Sequence, residues 1–360
     1  MRLGLVIYGS LATQSGGYLY DRRLVEHLRA AGDEVEIFSL PWRGYPAHLG
    51  QNWLPEFRRR LRSAAVDVLL QDELNHPSLF WLNRRLREES RFPLISIVHH
   101  LRDSEEHPRA WRPFYRWIER AYLGTLDGAV YNSASTRRAV GKLLGRTPAG
   151  VVVTPAGDRF GAGISASEIA ARMAAEPPRI LFVGNLIPRK GLMALLRALA
   201  RLGDLGWQLR VAGRTDADPA HSAAVRRTAE TLGIGRRVLF LGSLSDADLE
   251  TEMRQAHLLA VPSQFEGFGI VYLEGMGFGL PAIGAAAGGA SEIIADGVSG
   301  RLVDPEDIGA LESGLRSMLS DRERLLRMSL AARRRFDDFP GWGIQMEKAR
   351  QFLLGQTQNG

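Results

Sequence analysis

The sequence predicts an α/β protein made of two doubly wound, Rossmann-like parallel-sheet domains that face a cleft. Three observations carry that expectation. The chain has 360 residues, beyond the size at which a single core keeps growing, so two domains are the default. Short β-type apolar runs alternate with helical stretches along most of its length, which is the pattern of parallel sheets. Near the middle, a stretch rich in Gly, Pro and Ala between Pro155 and Pro178 interrupts the alternation and marks a boundary.

In the first part the strands read "LGLVIY", "EVEIFSL", "DVLLQ", "PLISIV" and "GAVYN". Amphipathic segments such as "GYLYDRRLVEHLRAAG" and "SASTRRAVGKLLG" lie between them. In the second part "RILFVG", "LRVAG", "RVLFLG", "LLAVPS" and "PAIGAA" are each followed by a helical pattern. This divides the chain into domains at 1–160 and 177–340. A mostly helical tail is broken by "DDFPGW" at Asp337 to Trp342, and its last helix, 341–360, is expected to pack back on the first domain. Ligands of such sheets bind at the carboxyl ends of the strands.

Composition narrows the function. An apolar fraction of 45% with 24% charged residues is ordinary for a soluble protein. There is no cysteine, which excludes disulfides and cysteine-based catalysis or metal binding and fits a reducing compartment. The uncharged run Gly275 to Ala290 is too short and too rich in glycine to span a membrane. "MRLGLVIYGS" suits a buried first strand better than a signal peptide. A cytoplasmic protein is expected. The net charge is +6, and residues 1–150 hold all of the excess, with 22 Lys and Arg against 16 Asp and Glu.

The stretch "EGFGIVYLEG" sets Glu266 and Glu274 eight positions apart. Glu266 sits in glycine-punctuated chain. A helix starting near Gly269 places Glu274 about one turn in, on the side of Ile270 and Val271. The N–H groups of Gly267, Phe268, Gly269, Ile270 and Val271 would then point between the two acids, where a helix N-terminus attracts phosphate. Carboxylates beside it could accept bonds from hydroxyls, and phosphate next to hydroxyls describes a sugar nucleotide. In "FVGNLIPRKGL" a strand ends at Gly184, Asn185 follows, and Arg189 and Lys190 precede a helix. Those two cations are placed to hold a diphosphate, although a basic pair on a solvated turn has the same appearance.

Other candidates are weaker. Gly16 and Gly17 form a close-approach loop after the first strand, but "SGGY" is not the dinucleotide fingerprint. His99 and His100 end the strand "PLISIVHH", where a cleft residue able to move a proton belongs. Asp72 and Glu73 read as capping or surface acids. The "DAD" strings at Asp216 to Asp218 and Asp246 to Asp248 read as helix caps. The eight histidines show no ligand spacing, so no metal and no cofactor are expected.

Taken together, these residues resemble the retaining glycosyltransferases of family 4, which have the GT-B fold. The resemblance covers almost the whole chain. Its most specific part is "PSQFEGFGIVYLEGMGFGLPAIGAAAGGASEIIADGVSGRLVDPED", with weaker blocks "VGNLIPRKG", "VAGRTD", "FLGSLSD", "SGGY" and "IVHH" in family order. It implies that Glu274 bonds the ribose hydroxyls and Glu266 faces the transferred sugar beside the N–H groups of Gly267 to Gly269. Lys190 is implied on the diphosphate, His99 on the sugar, and Gly16 and Gly17 near the phosphates or acceptor. Where many members carry Arg after the glycine of the first strand in this domain, the chain has Asn185, and Arg189 could replace that charge. The implied reaction is metal-independent transfer of a sugar from a UDP- or GDP-sugar, the nucleotide sugar being a substrate and not a cofactor. The implied acceptor is lipid-linked, a glycolipid or a polysaccharide. A non-catalytic nucleotide-sugar- or membrane-binding relative and a nucleotide-sugar epimerase are the alternatives.

In "WRPFYRWIERAYL", Phe114, Trp117, Ile118, Ala121 and Tyr122 form an apolar stripe, with Arg109, Arg112, Arg116 and Arg120 near another face. Peripheral contact with the inner, anionic face of a membrane is one reading. A core stripe with a solvated arginine face is the other. Nucleic acid is not expected, because no recognition motif accompanies the charge.

Overall fold

A computed structural model of the chain describes residues 1–13, 15–89, 92–104 and 110–357. Two units emerge, Met1–Pro155 joined by the segment from Trp342, and Ala156–Gly341. Each is built on a six-stranded sheet in which every pairing is parallel.

The first sheet contains β1 (Arg2–Tyr8), β2 (Glu34–Leu40), β3 (Val68–Asp72), β4 (Leu94–Val98), β5 (Gly128–Tyr131) and β6 (Gly150–Val152). Their order is β2-β1-β3-β4-β5-β6, so the winding reverses between β1 and β3. Strands β3 and β4 are buried along their whole length, as strands covered by helices on both faces must be. Helix Gly16–Ala30 follows β1 and starts at Ser15, whose side chain accepts from Tyr18 N. The last helix, Trp342–Thr357, joins this unit through side chains far apart in sequence. Arg350 Nε donates to Asp33 Oδ2 at 2.7 Å, beside the chain's own N-terminal amine at 2.8 Å, and Gln345 donates to Thr154 at 2.7 Å.

The second sheet holds β7 (Arg179–Val183), β8 (Gln208–Ala212), β9 (Val238–Gly242), β10 (Leu258–Ala260), β11 (Ala282–Ala285) and β12 (Gly300–Val303). Its order is β12-β11-β10-β7-β8-β9, with the reversal between β7 and β10. Two edge strands, β6 and β12, were absent from the sequence-based reading. Both are short and only partly buried, whereas the equally short β5, β10 and β11 are buried throughout and stand out as apolar runs.

Two other expectations need correction. Asp72 and Glu73 are not surface acids, since both are buried at the end of β3, although Asp72 does cap the turn after it by accepting from Leu74 N. In helix Arg112–Leu123 the stripe divides: Ile118 and Tyr122 are fully buried, whereas Phe114 and Trp117 are exposed, Trp117 to 57%. Arg109 lies outside the described residues. The "DAD" strings do supply a cap at Asp218, which accepts from His221 N, while Ser245 caps the helix that begins at Asp246.

The helix that carries Glu274, Ile270–Gly277, is fastened at its far end by a buried arginine. Arg172 donates to the carbonyls of Phe278 (2.9 Å) and Gly279 (3.1 Å) just beyond that helix. Burial pushes the Arg172 guanidinium down to about 10. Replacing it by Leu leaves buried carbonyls unpaired, so Arg172→Leu is expected to lower unfolding stability by about 2–3 kcal/mol. Urea denaturation of the second unit's fluorescence checks this, and an unchanged midpoint would contradict it.

Candidate active site

Both units place their polar residues at the point where strand order reverses, which is where open α/β sheets bind ligands. In the second unit the loop after β7 and the loop after β10 meet there. Gly184 follows β7, then Asn185, and the short turn Pro188–Lys190 brings up Arg189 and Lys190. Gly191 closes that turn at φ +74°, and a Cβ there would come within 2.0 Å of the Pro262 carbonyl. Only glycine permits this approach.

The close contact presses the two cations onto Glu266. Lys190 Nζ lies 2.6 Å from Glu266 Oε1, Ser263 Oγ donates to the same oxygen at 2.6 Å, and Arg189 Nη1 stands 3.9 Å from Oε2. Arg189 also donates to the Phe265 carbonyl at 2.7 Å. Burial alone would raise this carboxyl, but the Lys190 and Arg189 charges and the bonds from Lys190 and Ser263 hold it below its ordinary value. Glu266 is therefore a buried carboxylate that stays ionised. Gly289 N donates to the Glu266 carbonyl at 2.8 Å, and a Cβ on Gly288 would sit 2.3 Å from that oxygen, so the later Gly-Gly pair fixes the loop from behind.

Gly267 follows Glu266, Phe268 is buried against Phe339 (5.9 Å between rings), and Gly269 starts helix Ile270–Gly277 in a left-handed conformation. Ile270 and Val271 are half-buried, and Tyr272 N is already bonded to the Gly269 carbonyl at 3.0 Å. Glu274 lies one turn in and is nearly fully buried.

Its partner is a residue that sequence reasoning passed over. Arg159 Nη2 donates to Glu274 Oε2 at 3.3 Å, and Arg159 Nε lies 2.9 Å from Oε1 without its N–H being aimed there. The same guanidinium stacks over Phe160 at 4.4 Å and reaches toward Asp246 at 3.5 Å. Arg159 belongs to "PAGDRFGAG", which in the sequence carries only the signal of a boundary. Burial raises Glu274 most, the Asp246 charge adds to that, Arg159 opposes both, and the carboxyl is pushed up to about 7.

In the first unit His99 ends β4 and is buried. Its Nε2 lies 3.2 Å from Asp21 Oδ1, and its carbonyl accepts from Asn132 Nδ2 at 2.6 Å. Gly16 and Gly17 open the helix that carries Asp21, and a Cβ on Gly17 would lie 3.3 Å from the imidazole. Sequence reasoning had no signal for Asp21, which is one helical residue among many until the fold turns it onto His99.

Ligand-type side chains also gather where no sequence spacing announces them. Donor atoms of Asp21, Asp72 and His99 lie within 4.8 Å of one another, as do those of Glu73, His76 and Glu119. In the second group the donors already have partners. His76 Nδ1 lies 3.0 Å from the Glu73 carbonyl, and the Glu119 carboxylate accepts from the N–H groups of Arg102 and Asp103 at 2.5 and 3.1 Å.

With this geometry in place, comparison with known proteins is informative. The family described as Glycosyl transferases group 1 matches residues 167–335, and Glycosyltransferase Family 4 matches residues 19–157. A D-inositol 3-phosphate glycosyltransferase of Nocardia farcinica is 32% identical, over 88% of this chain and 80% of its own. One of the same name from Mycobacterium bovis is 30% identical, over 85% and 72%. Among solved structures, a sucrose-phosphate synthase of Thermosynechococcus elongatus has a TM-score of 0.85 at 21% identity, covering 100% of both chains. Anabaena HepE, solved in complex with UDP-glucose, has a TM-score of 0.80 at 18% identity, covering 99% of this chain and 100% of its own. Both share the two-sheet fold.

The raised Glu274 carboxyl has a measurable consequence for stability. The folded protein binds its proton more tightly than the unfolded chain does, whose ordinary value is about 4.3. That contribution is fully present below about pH 4 and is lost as pH rises through about 7. Glu274→Gln removes the group, so at pH 8 the variant should be more stable than the parent, on the order of 1–3 kcal/mol. The gap should close on acidification. Thermal unfolding of both proteins from pH 4 to 8 measures this, and a gap that widens toward acid would refute it.

Proposed function

The chain belongs to the group 1 and family 4 glycosyltransferases, and from that premise we propose that it moves a sugar from a UDP- or GDP-sugar to an acceptor hydroxyl with retention and without a metal. The observation that carries this reading is the convergence of Lys190, Arg189 and Ser263 on the ionised Glu266 at the reversal between β7 and β10. A fixed carboxylate beside paired cations suits a reaction in which opposite charges develop a few ångströms apart. As the anomeric carbon–oxygen bond breaks, its electron pair goes to the diphosphate oxygen and the sugar gains positive character. Lys190 and Arg189 are assigned to the first charge and Glu266 to the second. The acceptor oxygen attacks from the same face and its proton passes to the leaving phosphate, so no protein nucleophile is needed. Glu274 is assigned to the ribose hydroxyls, where the donor displaces Arg159 or shares its carboxylate. The complex of Anabaena HepE with UDP-glucose supports a UDP-sugar donor.

The two acids should fail differently. Glu274 touches a part of the donor that does not change, so Glu274→Gln should raise the donor KM by a loss of roughly 1.5–3 kcal/mol. Glu266 acts on charge that exists only in the transition state, so Glu266→Gln should lower kcat by about 10²–10³. Steady-state kinetics in EDTA, with calorimetric titration of the intact donor, tests every part. Glu266→Gln changing KM alone would overturn the roles. Loss of all activity on chelation, restored by Mg²⁺ or Mn²⁺, would overturn metal independence.

For the acceptor, the names of the Nocardia and Mycobacterium relatives point to a phosphorylated polyol. Exposed aromatics favour a second class, a lipid-bearing acceptor. Trp111, Phe114 and Trp117 lie open on or beside helix Arg112–Leu123, next to the exposed Arg112, Arg116 and Arg120. Amphipathic rings beside cations fit an anionic membrane surface, where each cation contributes about 1 kcal/mol. None of the described helices is long and apolar enough to cross a membrane, so any contact through them is peripheral. Flotation with anionic vesicles should show binding that weakens with salt and drops when Arg112, Arg116 and Arg120 become Ser. Equal recovery with neutral vesicles, or no binding, would leave the soluble phosphorylated acceptor as the reading.

A further inference from the structure

We propose that Asp21 and Asp72 are positioning residues that hold His99 as a fixed, doubly protonated hydrogen-bond donor: Asp72 keeps a proton and gives it to Asp21, whose carboxylate accepts from His99 Nε2–H. This rests on the assignment of His99 to the donor sugar, and it adds what sets the state of that histidine.

The geometry comes first. Asp21, Asp72 and His99 issue from three elements, the helix after β1, the end of β3 and the end of β4, and all are buried. Their donor atoms lie within 4.8 Å of one another. Asp21 Oδ1 is engaged by His99 at 3.2 Å, and Asp72 Oδ1 by Leu74 N at 2.9 Å. The Oδ2 atom of each is buried with no partner. Two adjacent carboxylates, each with a dry and unpartnered oxygen, cannot both remain ionised, and one shared proton supplies the missing bond.

The charge count then fixes His99. Two carboxyl groups that share a proton carry one negative charge. A buried site is least costly when that charge is neutralised, and the imidazolium of His99 is the neighbour able to do so. The direction of each titration agrees. Burial lowers His99, but the charge and the hydrogen bond of Asp21 oppose it, and the group lies above its ordinary value. Burial first, and then the Asp21 carboxylate, push Asp72 up. Among the described residues, the titratable groups facing the cluster include four tyrosines. Tyr20 meets the imidazole edge-on at 5.3 Å, and Tyr8, Tyr18 and Tyr122 interact with the carboxylates. Burial raises all four, so they stay neutral. Glu73, next to Asp72, accepts from His100 N at 3.5 Å. With Nε2 spent on Asp21 and Gly17 against the ring, Nδ1–H is the remaining donor, and it has no hydrogen-bond partner among the described residues. The ligand group it fits is a hydroxyl or phosphate oxygen.

The test is ¹⁵N NMR of the full chain labelled at histidine, with His99 assigned through His99→Gln, so that its outcome does not depend on glycosyl transfer. In the parent protein His99 should titrate above 6.5 and show both nitrogens protonated at pH 7. Asp21→Asn should lower its midpoint by about one unit or more. Asp72→Asn should leave it within about half a unit, because an amide keeps the acceptor for Leu74 N and still donates to Asp21. A parent His99 that is neutral at pH 7 would overturn the proposal even if the variants do not fold. So would Asp72→Asn lowering the midpoint as far as Asp21→Asn. A rise in unfolding temperature with Mg²⁺ or Mn²⁺ that Asp21→Asn abolishes would make the cluster a cation site instead, and would overturn the proposal too.

Discussion

A carboxylate removed from water must be paired with a cation or keep a proton, and the polar architecture of both units follows from that constraint. Buried acids gather beyond the strand ends, on the loops and helices that follow them. Glu266 is balanced by Lys190 and Arg189 from the loop after the neighbouring strand. Glu274 is only partly balanced, because its single cation, Arg159, is shared with Asp246. These different balances hold Glu266 below its ordinary value and push Glu274 up to about 7. Under the proposed roles, a cationic sugar centre and a neutral diol are met by two glutamates in two environments.

The reversal of strand order decides where such balances can be struck. Helices leave opposite faces on either side of a reversal, which opens space above the strand ends. The loops after β7 and β10 fill that space in one unit, and the residues after β1, β3 and β4 fill it in the other. Close backbone approach then sets the register of the charges. Gly191 lies against Pro262 and Gly288 against Glu266, so Lys190 and Glu266 are brought together by contacts in which neither side chain takes part.

How much of this could be read from the sequence depended on how local the signal was. The parallel α/β class was legible because β3, β4 and β7 are nearly continuous apolar runs separated by amphipathic helices. Edge strands β6 and β12 were not, because they are only partly buried and lack the continuous apolar run that marks the equally short β5, β10 and β11. Glu266, Glu274 and Lys190 could be singled out as candidates because glycines and apolar residues punctuate their neighbourhoods in ways that ordinary loops do not. Arg159 and Asp21 were hidden for the opposite reason. An arginine in a linker and an aspartate in a polar helix are unremarkable until a contact 115 or 78 residues away gives them a role. Trp117 shows the limit of periodicity itself. It lies at the edge of the stripe that holds Ile118 and Tyr122, and the helix presents it largely to solvent, with Phe80 edge-on against its ring.

The contrast between Glu266 and Glu274 also bears on why Arg159 is present. If Glu274 had a dedicated cation at good geometry, its carboxylate would be satisfied, and the ribose hydroxyls proposed for it would have to compete with a full ion pair. With no cation at all, burial would keep it protonated, and it would not offer two anionic acceptor oxygens. Arg159 gives an intermediate state, with one hydrogen bond at 3.3 Å and one close approach at 2.9 Å whose N–H is not directed at the oxygen. A half-made ion pair of this kind stabilises the folded loop less than a complete one and is correspondingly cheaper to rearrange. If Glu274 takes the proposed ribose role, stability and ligand affinity are opposed at this position, and the misaligned guanidinium is where the balance between them is set.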